Sequence, residues 1–149
     1  MASCRDDTRA AGPDRVGPVA LAYVGDAVYT LHVRAHLVCR GPAKQRELHR
    51  LASAEVRASA QARSLLELED KLTAEEKSIV RWARNAKIGK GGGGTPAERH
   101  HATAFEALLG HLYLTGQSQR LEELLAAVAE HTASAGGNEF ASDPAPLHP

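Results

Sequence analysis

The chain lacks the usual shortcuts to a small stable fold. Its two cysteines, Cys4 in a polar leader and Cys39 near a helix end, make neither a CxxC pair nor a disulfide framework, which points to a reducing compartment, the cytoplasm by default. Aromatic residues are only 4% of the sequence, so a core has to be built from Ala, Leu and Val. No run of about 18 apolar residues occurs, which argues against membrane insertion. The opening MASCRDDTRAAGPDR has no apolar segment and carries three aspartates, which argues against Sec-type secretion and against an organellar transit peptide. Net charge is absent too: 18 Lys and Arg balance 18 Asp and Glu, so any basic surface must be local.

What is present is helical periodicity. At 149 residues and 43% hydrophobic content, the sequence predicts one all-α helical bundle. Residues 1–15 and 133–149 are rich in Gly, Pro, Ala and Ser without periodicity and are expected to be disordered ends flanking a domain at 16–132. A first long helix runs from Gly17-Pro18 to Arg40-Gly41-Pro42. A second helical region, Ala43 to Glu69 with a break near Val56–Ser59, places Leu48, Leu51, Ala52, Val56, Ala62 and Leu66 inward. Its arginines, Arg46, Arg50, Arg57 and Arg63, lie outside. Thr73 and Glu76 form a capping box that opens a helix to about Lys87. KIGKGGGGTPAERHH reads as a flexible loop, followed by a short apolar helix TAFEALLGHLYLTG and a last amphipathic one, QRLEELLAAVAEH.

Two acids stand out against apolar surroundings. Asp26 shares its side of the first helix with Val19, Ala22, Tyr23, Tyr29 and Val33, and Glu106 sits among Ala102, Leu109, Gly110 and Tyr113. An isolated ionised carboxylate in such a place costs several kcal/mol or shifts its pKa upward. Each acid therefore needs a cation, whether an arginine or a shared divalent ion such as Mg²⁺, a set of hydrogen-bond donors, or a site open to water, and spacing alone leaves these open.

Basic residues gather in one place. Arg81, Arg84, Lys87, Lys90 and Arg99, with Asn85 among them, line a helix end and the loop that leads to the Glu106 helix. The layout suits the phosphate backbones and shallow minor groove of an RNA duplex; the plainer reading is a set of solvated charges favoured at a helix C-terminus. The four glycines lack the Lys-Ser/Thr of a P-loop and follow no strand. His32, His36 and Cys39, spaced i, i+4 and i+7, offer a weaker zinc constellation without a fourth ligand. No nucleophile elbow or triad spacing occurs.

ALAYVGDAVYTLHVRAHL, ELHRLASAEVRASAQA, EEKSIVRWARNAK and TAFEALLGHLYLTGQ, in that order, resemble the blocks of Mini-ribonuclease III, the short branch of the ribonuclease III family. The resemblance implies an all-α ribonuclease III domain, a homodimer formed through the signature helix, and Mg²⁺-dependent endonucleolytic hydrolysis of double-stranded RNA. It assigns Asp26 and Glu106 as catalytic, metal-holding residues. It makes Arg81, Arg84, Asn85, Lys87, Lys90 and Arg99 the RNA-binding rim, since no segment is left for a separate double-stranded-RNA-binding domain. It also implies precursor large-subunit ribosomal RNA as substrate, with a ribosomal protein as a candidate partner presenting that RNA. Full-length relatives carry further acids at the positions of Ala22 and Thr103, as the short branch does not. That loss also keeps a rival in view, a non-catalytic RNA-binding or ribosome-assembly module on the same fold.

Overall fold

A single helix packed against four others organises the structure. In the computed structural model, which describes residues 16–135 and side chains through residue 129, six α-helices follow one another. They are α1 (Pro18–Cys39), α2 (Gln45–Val56), α3 (Ala58–Leu68), α4 (Ala74–Arg84), α5 (Pro96–Leu114) and α6 (Ser118–Ala135), with a 3-10 turn at Glu69–Lys71 after α3. No strand occurs among the described residues. The leader and most of the tail, expected to be disordered, lie outside the described residues; the last helix continues through Ala135, past the expected boundary at residue 132.

Helix α5 packs against α1, α3, α4 and α6. Ala104, Phe105, Ala107, Leu108, Leu109 and Leu112 on it are completely buried, each large side chain contributing about 1.5–3 kcal/mol of transfer free energy. Phe105 meets Tyr29 of α1 edge-to-face, with ring centroids 5.0 Å apart. Burial pushes the Tyr29 phenol up to about 12.

The closest approach in the fold is between backbones. A Cβ placed on Gly25 of α1 would fall inside the backbone carbonyl of Glu106, and one on Gly110 of α5 would fall inside that of Leu21. Only glycine at both positions lets the two helices cross at this distance.

Sequence periodicity located the elements better than their edges and phases. The break in the second region is at Arg57, whose extended backbone (φ −67°, ψ 153°) resets the helical phase between α2 and α3. Continuing one phase across that break had put Leu66 inside; Leu66 is instead 56% exposed, and Leu65 and Leu68 fill the core. Helix α4 ends at Arg84 rather than near Lys87. The presumed long loop is cut short by a second capping box: Thr95 Oγ1 accepts from the Glu98 amide at 3.2 Å, and Glu98 Oε2 accepts from the Thr95 amide at 2.7 Å. With Pro96 at the first helical position, PAERHH begins α5 instead of ending the loop.

The Thr73–Glu76 box does form, and its glutamate has a second task. Glu76, 5% exposed, accepts from Arg120 of α6 at 2.7 and 3.0 Å, and the same guanidinium donates to the Lys71 carbonyl at 2.7 Å. The Arg120 contact is the main reason the Glu76 carboxyl is held below its ordinary range.

Gly25→Ala should destabilise the fold by about 3 kcal/mol or more, the upper end of overpacking costs, whereas Gly17→Ala, with nothing within 4 Å of its added carbon, should change stability by less than about 1 kcal/mol. Urea denaturation of the two variants checks this.

Candidate active site

The Gly25–Gly110 crossing decides where the two acids lie. Asp26 directly follows the glycine that touches the Glu106 backbone, so the carboxylates emerge side by side at the edge of the crossing. Burial, then the charge of Asp26, pushes the Glu106 carboxyl up to about 7, and Asp26 is near enough to share a hydrogen bond with it.

The expectation of two buried acids is corrected on one side. Glu106 is half-buried, but Asp26 is exposed, as are two of its apolar neighbours, Val19 at 51% and Tyr23 at 83%. Ala22, Tyr29 and Val33 turn into the core, so Asp26 stands at the boundary between the buried and the bare side of α1. Helical spacing places residues on a side; it cannot tell which apolar side the chain itself covers.

Glu106 opens into a cleft of about 280 Å³ lined on one wall by Gln61 of α3, on another by Ile88, Gly89 and Gly91–Gly93, and on the third by Arg99 and Thr103 of α5. The loop takes left-handed conformations at Gly91, Gly92 and Gly94 (φ 120°, 94° and 86°). Arg99 Nη1 ties it down by donating to the Gly94 carbonyl at 2.9 Å, while Arg99 Nε is buried without a partner. Thr103 donates to the Arg99 carbonyl at 2.9 Å, so its hydroxyl is locally satisfied.

Among the described residues no arginine, lysine or histidine forms an ion pair with Asp26 or Glu106. The salt-bridge alternative is thereby removed. The zinc alternative falls as well: His32 stacks on His36 at 6.3 Å, Cys39 is exposed, and no group of three or more His, Cys, Asp or Glu suited to a metal occurs among the described residues.

The six basic-rim residues are distributed around two hollows. Arg99 lines the Glu106 cleft, and the exposed Lys87 and Lys90 bracket Ile88 and Gly89 on its wall. Asn85 is exposed at the end of α4. Arg81 and Arg84 line a different hollow, together with Glu69, Asp70 and Lys77, where acids offset their charge. Sequence reading missed Gln61, which is 1% exposed with its Nε2 unpartnered in the wall facing Glu106. The signal was available: Gln61, Ala62, Leu65 and Leu68 form one inward stripe on α3.

The raised Glu106 pKa carries a stability consequence. Between about 4.5 and about 7 the folded chain keeps a proton that the unfolded chain has lost, so the Glu106 contribution to stability falls as pH rises through that window and levels off above it. In EDTA, Glu106→Gln should therefore gain stability relative to wild type as pH goes from about 5 to about 8, and a constant difference in denaturation midpoint would contradict this.

Comparison with known proteins gives a consistent result. Residues 19–117 match the Ribonuclease III domain family. A Mini-ribonuclease 3 from Symbiobacterium thermophilum is 47% identical over 123 residues, covering 82% of this chain and 95% of that protein. Another, from Brevibacillus brevis, is 43% identical over 114 residues, covering 76% and 85%. The fold is similar to a crystal structure of a protein from Fusobacterium nucleatum, with a TM-score of 0.73 at 25% identity, covering 79% of this chain and 95% of that one. With a family match across most of its helices and relatives this similar over most of their length, the chain belongs to the ribonuclease III family, in its Mini-ribonuclease 3 branch.

Proposed function

We propose that this endoribonuclease cleaves double-stranded RNA with Mg²⁺ held between Asp26 and Glu106, and that its substrate is precursor large-subunit ribosomal RNA. The observation that carries the metal reading is the pair of adjacent carboxylates without a cationic partner, one of them forced toward its protonated form. A hard divalent ion fits that donor set: Mg²⁺ commonly takes one or two protein carboxylates and leaves its other positions to water and phosphate oxygens. When bound, it supplies activation of a water and stabilisation of charge on the scissile phosphate. Asp26 and Glu106 fix its place from two different helices, and the half-buried setting of Glu106 strengthens the electrostatics there.

The protein's own cations position the duplex. Arg99 stands at the cleft, Lys87 and Lys90 beside it, and Asn85 can reach a sugar hydroxyl or base edge in the minor groove; Arg81 and Arg84 contribute farther along α4. A homodimer accounts for the bare side of α1, where Val19, Tyr23, Leu31 and Val38 are each more than half exposed. Two copies pairing through that side put an Asp26 at each edge of the interface, as cutting opposite strands requires. The ribosomal substrate, and a ribosomal protein presenting it, rest on the family resemblance. The exposed free thiol of Cys39 suits the reducing cytoplasm. No helix among the described residues is long and apolar enough to cross a membrane.

Asp26→Asn should reduce cleavage of a labelled RNA duplex to the level seen with EDTA while leaving the fold and oligomeric state unchanged; cutting at the wild-type rate by that variant would sink the metal assignment. Leu31→Glu puts a charge on the bare side of α1 and should give a monomer by analytical ultracentrifugation, with a dimer of wild-type strength as the contrary result.

A further inference from the structure

Gln61 is an expensive residue to keep where it is. Its side chain lies almost wholly inside the core stripe of α3, between the apolar Ala62, Leu65 and Leu68 and the cleft, and its Nε2 has no hydrogen-bond partner. A buried donor left unmade costs about 1–3 kcal/mol, and an apolar residue of the same length would avoid that cost. The amide nonetheless faces the cleft into which Glu106 opens, and its effect on that carboxyl is to favour the ionised form.

Ligating carboxylates are ordinarily held in turn by a hydrogen bond from behind, which fixes the orientation of the oxygen facing the ion. Asp26 is exposed, so solvent is free to meet its outer oxygen. Glu106 is half-buried, and on the α3 side of the cleft the unpartnered polar side-chain atom is Gln61 Nε2.

We propose that Gln61 is the positioning residue of the metal site: its Nε2 donates to Glu106 and orients that carboxylate toward the divalent ion shared with Asp26. The proposal rests on the metal reading above and adds a residue from a third helix to it. In the metal-free chain Gln61 Nε2 lies close enough to Glu106 to act on its carboxyl but makes no hydrogen bond of good geometry, and an ion drawing on the far oxygen of Glu106 would set the near one against the amide. Gln61 thus costs stability in the metal-free chain and returns it on metal binding.

The test uses Gln61→Met, which keeps the length of the side chain and deletes the donor, with Gln61→Leu as a second variant. Mn²⁺ binding to the full-length, RNA-free protein is followed by electron paramagnetic resonance, and melting is recorded with EDTA and with Mn²⁺. Expected are Mn²⁺ binding about 10–100-fold weaker than wild type, a metal-free melting temperature no lower than wild type, and a smaller upward shift on adding Mn²⁺. Wild-type Mn²⁺ affinity in both variants, while Asp26→Asn loses binding, overturns the role of Gln61 and leaves the metal site standing. Absence of Mn²⁺ binding in the wild type itself brings down the metal reading and this proposal with it. If both variants are unfolded, or melt well below wild type in EDTA, Gln61 is a core residue and the proposal fails.

Discussion

Everything at the active site depends on how closely α1 and α5 cross. Two glycines, each set against a backbone carbonyl of the opposite helix, allow the approach, and no other residue type fits without moving a helix. The crossing is held by the apolar surround of α5, with the Tyr29–Phe105 contact beside it. Its effect is electrostatic. Asp26 and Glu106, eighty positions apart in sequence, are brought together because each projects from the rim of this contact. Packing free energy from the core thereby offsets the repulsion between two like charges, which alone would separate the helices.

That repulsion gives the site its chemistry. In the metal-free chain it is relieved by keeping a proton on Glu106 up to a pH of about 7. On the proposed reading a divalent ion would relieve it by charge, so metal and proton would compete for one site, and apparent metal affinity should strengthen as pH rises. The cleft also holds donors without partners. Gln61 Nε2 and Arg99 Nε are both buried and unpaired, an arrangement that a bare protein interior avoids and that incoming oxygen atoms satisfy.

How much of this was legible in the sequence differs by residue. Asp26 and Glu106 were visible because an acid inside an apolar helical pattern breaks the pattern, and the Thr73–Glu76 box because its spacing is strict. The start of α5 was missed although Thr95-Pro96-Ala97-Glu98 carries the same box with a proline at the first helical position; the glycines before it drew the whole stretch into a loop. Leu66 was misplaced because one extended residue, Arg57, shifts the helical phase in a way no periodic count detects. The exposure of Asp26 was hidden for a different reason. Val19 and Tyr23 beside it are apolar, and while the resemblance implied a dimer through this helix, only the three-dimensional packing shows which side the chain leaves uncovered. The split of the basic rim between two hollows depends on the direction in which α4 faces, which lies beyond local sequence.

Ala22 and Thr103 sharpen what a site with fewer carboxylates requires. Ala22 is buried on the helix that carries the glycine crossing, and Thr103 spends its hydroxyl on the Arg99 carbonyl. Two carboxylates neutralise one divalent cation and no more. On the proposed reading a second such ion would enter against an already balanced charge, unless the RNA phosphate carries its own negative charge into the cleft. The protein then holds one ion from its own residues, steadied by Gln61, and further metal binding should depend on the presence of RNA. On that reading, part of the electrostatic work would pass from enzyme to substrate, and activation would be tied to the arrival of the duplex.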